Sequence, residues 1–173
     1  ARVDDAGGML RLAEQDRRRW DREHLARGIA ELERSGAGEQ VTRFHLEAGI
    51  AACHSLAADE ASTDWRQILT LYDALLALDA SPVVALNRAV ALARVHGPAA
   101  GLRAIDAMRG REALENYHLR HAVAGQLWLE SGEPAKAAES FRRAHALAAL
   151  GAERMFLDGR IAAAEAAGDT GTE

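Results

Sequence analysis

Three polar corners recur along the chain at a nearly fixed interval, around Thr63, at Gly97 and at Gly132, and they lie 34 and 35 residues apart. That interval is longer than one helix or strand and far shorter than a domain, so each period is one supersecondary unit. A lone pair of helices cannot bury both its faces, and a chain that repeats such pairs must stack them. Strands would need Val, Ile, Thr and Tyr in alternation; this chain is alanine-rich, has 5% aromatic residues and carries no such run. The expected fold class is all-α, a solenoid of helical hairpins.

Punctuation between the corners agrees. After a loop containing Gly7 and Gly8, Leu25, Ile29 and Leu32 share one helical stripe opposite Arg22, Arg27 and Glu33. That helix should stop at Ser35 to Gly38. A second carries Phe44, Ile50 and Leu56 and ends in the polar run "DEAST". Asp64 followed by Gln67 has capping-box spacing, the carboxylate meeting orphan amides and the glutamine reaching back. "WRQILTLYDALLAL" forms the body of that helix. Ser81 then Pro82, and Gly97 then Pro98, place proline at a first helical position, where its missing N–H costs nothing. Corners follow at Arg109 to Glu112 and Ser131 to Pro134, and Glu153 to Ala167 forms a last helix with Phe156, Leu157 and Ile161. The count is about eight helices.

Position by position, Leu119 to Leu150 resembles a tetratricopeptide (TPR) repeat. With Gly132 as the hairpin glycine, the small and aromatic positions fall on Ala124, Gly125 and Trp128 in the first helix and on Ala137, Phe141 and Ala144 in the second. Small residues allow close helix approach, and the rings fill the volume between pairs. The preceding repeat matches at Leu86 and Ala89, with Gly101, Ile105 and Met108 fitting if its corner is one residue shorter. The one before keeps Trp65, Tyr72 and Leu75 but has Ile68 at a small position and Ala80 where proline is usual. The architecture expected is a TPR-like right-handed solenoid of about three degenerate repeats, with an N-terminal helix and a C-terminal capping helix. Its segments are an N-terminal portion over 1–38, the repeats over 39–168 and a frayed tail over 169–173.

At 173 residues, one domain burying about two-thirds of its unfolded surface is expected. Apolar stretches fall short of the roughly 18 to 20 residues that cross a bilayer. The chain starts at Ala1 and runs at once into charged sequence, as a piece of a longer protein would. One cysteine, Cys53, cannot form an internal disulfide, which favours a cytoplasmic location. A net charge of −5 with both signs interleaved disfavours nucleic-acid binding.

Catalytic spacings are not visible: no nucleophile elbow, no glycine-rich phosphate loop, and Gly7-Gly8 lacks a partnering lysine. No enzyme, cofactor or metal site is expected. His118 and His121 share a helix, Cys53 and His54 are adjacent, and His45 lies two turns before, yet no two-plus-two ligand spacing exists, and hydrogen bonding is the better reading. In "EQDRRRWD", Arg17, Arg18, Trp20 and Asp21 have the composition of a protein-binding hot spot; the plainer expectation packs Trp20 onto the repeats and leaves Arg17 to Arg19 solvated.

Over most of its length the chain resembles one family. "EQDRRRWDREHLARGIAELE", a stretch containing "TDW", "LYD", "SPVVALNRAVA" and "GPAAGL", then "YHLRHAVAGQLWLESGEPAKAAESFRRAHALA" and "ERMFL", resemble in that order the C-terminal TPR-like extension (DUF6596-type) of bacterial extracytoplasmic-function (ECF) RNA polymerase sigma factors. The resemblance implies an accessory domain that governs promoter-specific transcription initiation. It implies contacts with the sigma domains of the same parent chain, with core RNA polymerase or with a YCII-like (DGPF) protein, and no direct DNA contact. The other expectation is a ligand-sensing module binding a small molecule in a groove of mixed polarity.

In "SPVVALNRAV", Val83, Leu86, Val90 and Ala93 form a stripe toward the paired helix, and Val84, Asn87, Ala91 and Arg94 form a second that should line the concave groove. Asn87 is then a groove-contact candidate, and Arg88 a brace reaching Asp73 or Asp106. Leu119, Ala122 and Gln126 are the matching candidates one repeat later.

Overall fold

The structure, a computed structural model, describes residues 10, 12–35 and 40–169. Among these residues it is all-helical, with three short 3-10 turns and eight α-helices: α1 Arg22–Ser35, α2 Arg43–Leu56, α3 Trp65–Leu78, α4 Pro82–His96, α5 Pro98–Ala107, α6 His118–Glu130, α7 Pro134–Leu147 and α8 Gly151–Asp169. The three corners of the period fall at the junctions α2/α3, α4/α5 and α6/α7. Contacts divide the chain into two compact units, residues 1–84 and 85–173, so that the expected repeat region 39–168 is shared between them. Residues 1–9, 36–39 and 170–173, which hold the Gly7-Gly8 loop, the boundary at residue 38 and most of the tail, lie outside the described residues.

In residues 1–84, α1 packs on α2 and α2 on α3. Asp64 caps α3 by accepting the Gln67 N–H at 2.9 Å. Ile68 and Leu75 are buried, and the Leu71 side chain lies 3.3 Å from where a Cβ on Gly49 would stand. The small residue that lets this hairpin close therefore sits on the first helix, opposite the bulky ones. Across the hairpin's open end, Arg43 of α2 pairs with Asp79 at the end of α3 at 2.9 Å.

Two apolar clusters hold residues 85–173 together. The first joins Leu86, Ala89 and Ala93 of α4 to Leu102 and Ile105 of α5, Leu114, and Leu127 of α6. The second joins Ala137, Ala138, Phe141 and Ala144 of α7 to Ala148 and to Leu157 and Ala164 of α8. Trp128 of α6 packs against both. Gly97 and Gly132 turn the chain with φ of 87° and 74°, where a side chain would be strained. Two other glycines serve close approach. A Cβ on Gly125 would stand 2.8 Å from the Phe141 ring, and one on Gly101 would stand 2.7 Å from the Ala93 Cβ and 2.9 Å from the Ala89 carbonyl. The corner between α4 and α5 is Gly97 alone, shorter than residues 131–133 between α6 and α7, and α8 begins earlier and runs later than Glu153 to Ala167.

Val83, placed by the sequence stripe toward the paired helix, is 40% exposed, while Val84 and Ala91, placed on the accessible groove stripe, are 6% and 1% exposed. This corrects the reading of α4. Its alanines are small enough to be buried on more than one side of the helix, so its inward face is wider than a single i, i+3, i+7 stripe.

Candidate functional site

The hot-spot composition around Trp20 resolves into a buried clasp. Asp16 starts a 3-10 turn over Arg17–Arg19 by accepting the Arg18 N–H at 3.0 Å, and the turn directs the Arg17 side chain inward. Arg17 is 6% exposed, so the expectation that Arg17 to Arg19 remain solvated fails at its first member. Its Nη1 donates to the carbonyls of His54 at 2.8 Å and Ala57 at 3.1 Å and to the Thr63 hydroxyl at 3.2 Å. The last carbonyls of α2 have no partners within the helix and carry the negative end of its dipole, which is where a guanidinium is most useful. The Thr63 hydroxyl in turn donates to the Asp59 carbonyl at 2.8 Å. Sequence patterning misses this contact because its partners are backbone carbonyls 37 and 40 residues away.

The neighbouring candidates have local duties. Arg18 pairs with Asp16 at 2.9 Å and stays in solvent, and Arg19 is exposed. Trp20 is half-buried, its ring centroid 5.6 Å from the Arg17 guanidinium carbon. Asp21 accepts the N–H groups of Glu23 at 3.1 Å and His24 at 3.0 Å, which caps the start of α1.

Helix α1 leaves an apolar cleft of about 200 Å³ against α2. Leu25, Ile29 and Leu32 form one wall, and Ala48, Ala51 and Ala52 form the other. Phe44, one turn before Ala48, is 78% exposed.

In residues 85–173 the groove candidates converge on a polar chain. Arg94 of α4 donates to both oxygens of Glu130, at 3.0 and 2.9 Å, and the Gln126 amide donates to the same carboxylate at 2.8 Å. Arg160 of α8 donates to the Gln126 carbonyl oxygen, and its guanidinium carbon lies 5.4 Å from the centre of the Phe141 ring. Three helices are thus joined through Gln126 and Glu130. Glu130 and Arg160 were not singled out in the sequence, although Glu130 sits one turn after Gln126 and continues its stripe. Leu119 is exposed at the start of the stripe, and Ala122 packs against the second cluster. Asn87 is exposed; Arg88 is half-buried, and Asp106 lies 3.5 Å from Arg111.

The residues weighed as metal ligands are not brought together. His45 Nδ1 accepts the Thr42 N–H at 3.0 Å, His121 bonds the Glu115 carbonyl at 2.8 Å, and His118 lies 3.5 Å from Glu153. Burial, aided by the charge of Asp64, pushes the Cys53 thiol above its ordinary value and away from thiolate reactivity. Among the described residues no three His, Cys, Asp or Glu side chains form a group that could hold a metal ion, and no helix is long and apolar enough to cross a membrane.

Residues 1–36, which include the Arg17 turn but not its partners, match the model of a family of unknown function, DUF6596. Uncharacterized protein R00370 of Rhizobium meliloti (strain 1021) is 36% identical over 157 residues. That alignment takes in 91% of this chain and 37% of R00370, so the chain spans little more than a third of the length of this curated relative. The family match and the identity extend the likeness from the Arg17 turn into the helical hairpins.

Proposed function

We propose that this chain is an accessory, regulatory protein-interaction domain of a bacterial ECF sigma factor. It acts on promoter-specific transcription initiation by RNA polymerase through contacts with the sigma domains of its parent chain, core polymerase or a partner such as a YCII-like (DGPF) protein. The observation that carries this reading is the ordered set of sequence blocks, from "EQDRRRWD" through "SPVVALNRAVA" to "ERMFL", which fall on successive helices of an all-helical chain. Stacked helical pairs offer extended side-chain surfaces suited to binding. In residues 85–173, the surface favoured for contact is the α6 stripe from Leu119 to Glu130, with Asn87 and Arg160 as further contact candidates.

The reading is tested by run-off transcription with the intact parent protein, with the parent lacking this region, and with a Leu119→Asp, Gln126→Ala double variant. Loss or deregulation of initiation is expected in both altered proteins. Unchanged promoter strength and control in the truncated protein would sink the reading. Pull-down of residues 1–173 against the parent's sigma domains and core polymerase identifies the partner.

A second reading, a small-molecule sensor, has the cleft between α1 and α2 in its favour, although it was expected in the repeat groove. Thermal-shift measurements against metabolites at high excess decide it: a true ligand raises the midpoint in proportion to the logarithm of its concentration, and an unmoved midpoint removes this reading.

A further inference from the structure

We propose that the turn at Arg17–Arg19 is a strap, closed over the C-terminal end of α2 by the Arg17 guanidinium and released by a proton on His54. Arg17 reaches the His54 carbonyl itself at 2.8 Å, so the strap's anchor and the imidazole belong to one residue. His54 Nδ1 is buried and makes no hydrogen bond, and the Trp65 ring of α3 stands edge-on to the imidazole with centroids 5.2 Å apart. A proton placed there would add a second positive charge beside a buried guanidinium.

Among the described residues, the acidic side chains flanking this end of α2 are already engaged, and the Asp59 carboxylate also feels the charge of Arg17. From the segment between α2 and α3, Asp59 accepts the Ser62 N–H and hydroxyl, each at 2.8 Å. From the start of α3, Asp64 is engaged with the Gln67 N–H. On α2 itself the adjacent Cys53 thiol is held protonated. The strap contributes the cation, Arg17. Opening the strap returns the buried guanidinium to water and takes its charge away from the imidazole.

The sign follows from linkage. Burial first, and the Arg17 charge second, hold the His54 imidazole below its ordinary value. The closed strap is therefore fully favoured above about pH 6.5, the ordinary histidine value, and loses that preference as pH falls through the window beneath it. Each unit by which closure lowers the value is about a tenfold change in the closing equilibrium. Asp59, whose carboxyl is held below the usual range by the Ser62 hydrogen bonds, titrates well beneath that window.

Hydrogen exchange on the whole chain tests the strap at about pH 7.5 and about pH 5.5, either side of the histidine value. The readout is the amides of Arg19 and Trp20, which donate to Asp16 and Arg17 when the turn is formed. After correction for intrinsic rates, protection should fall several-fold at the lower pH in the unaltered chain, stay level in His54→Gln, and be low at both values in Arg17→Gln. Equal falls in the unaltered chain and His54→Gln, or no fall in either, would overturn the proposal. Should His54→Gln not fold, the imidazole resonances of the unaltered chain decide: titration at or above the ordinary histidine value refutes it.

Discussion

In residues 85–173 helices meet in close approach at glycines, Gly125 on the Phe141 ring and Gly101 on Ala93, and seven buried side chains make up each of two apolar clusters. In residues 1–84 the arrangement differs. There α1 has no fully buried residue, its apolar stripe is only half-buried, and the N-terminal turn is held through polar contacts of one guanidinium with carbonyls and a hydroxyl. Close packing is intolerant of volume change, whereas a hydrogen-bonded clasp is intolerant of losing its donor. The two units should therefore fail by different substitutions, and that difference can be measured.

The largest effect is expected for Phe141→Ala. The ring is 2% exposed and lies among Leu157, Ala137, Ala144 and Ala164, and these alanines have no side-chain reach to fill the space it would leave. A loss of about 3–5 kcal/mol is expected, read as a fall in urea midpoint for residues 85–173. Trp128, the tryptophan of that unit, reports it by fluorescence once Trp20 and Trp65 are replaced by Phe. Retention of the midpoint would show that the second cluster is not the core it is taken to be.

Arg17→Met comes next. Methionine keeps the apolar stem but removes every donor, leaving the carbonyls of His54 and Ala57 and the Thr63 hydroxyl without the guanidinium. A hydrogen bond from a charged donor contributes about 1.5–3 kcal/mol, and a destabilisation of that order should be confined to residues 1–84. Hydrogen exchange resolved by segment checks it: equal loss of protection in both units would contradict the contrast between them.

The helical repeat was legible in the sequence because each of its signals is local or periodic. Asp64, Pro82, Gly97, Pro98 and Gly132 punctuate helices by chemistry that acts within one turn. Gly125, Ala137, Phe141 and Ala144 follow the spacing of a packed pair, and all four are buried. Reading which polar residues face solvent worked less well. Arg17 looked solvated because its neighbours Arg18 and Arg19 are, and a 3-10 turn aims one of three consecutive arginines inward without any change of composition. Val84 and Ala91 looked accessible because a stripe count assumes one buried face, whereas α4 is apolar over more of its circumference. The chain joining Arg94, Glu130, Gln126 and Arg160 was half seen: Arg94 and Gln126 follow the repeat, but a hydrogen-bonded partner on α8 cannot be deduced from either.

Two glycine substitutions sharpen the comparison further. Alanine is the better helix former by about 0.8–1 kcal/mol, so propensity alone favours Gly125→Ala. Packing opposes it. The new Cβ would stand 2.8 Å from two atoms of the Phe141 ring, which is buried and cannot swing aside. Overpacking costs about 1–3 kcal/mol, so a net loss is expected in residues 85–173, seen as a lowered urea midpoint.

Gly28→Ala carries the same propensity with no opposing contact. Gly28 lies inside α1 on the wall of the cleft against α2, and nothing lies within 4 Å of the position its Cβ would take. A gain of about 0.5–1 kcal/mol for the helix is expected, since alanine narrows the unfolded ensemble and fits the helical backbone without strain. The measurement is the exchange rate of the α1 amides, which should slow while those of α6 and α7 do not change. The same substitution would then have opposite signs at Gly28 and Gly125, because only one of these glycines is required by a neighbour. If both lowered stability, α1 would be packed as tightly as α6, and the contrast between a loosely covered first unit and a close-packed second would have to be abandoned.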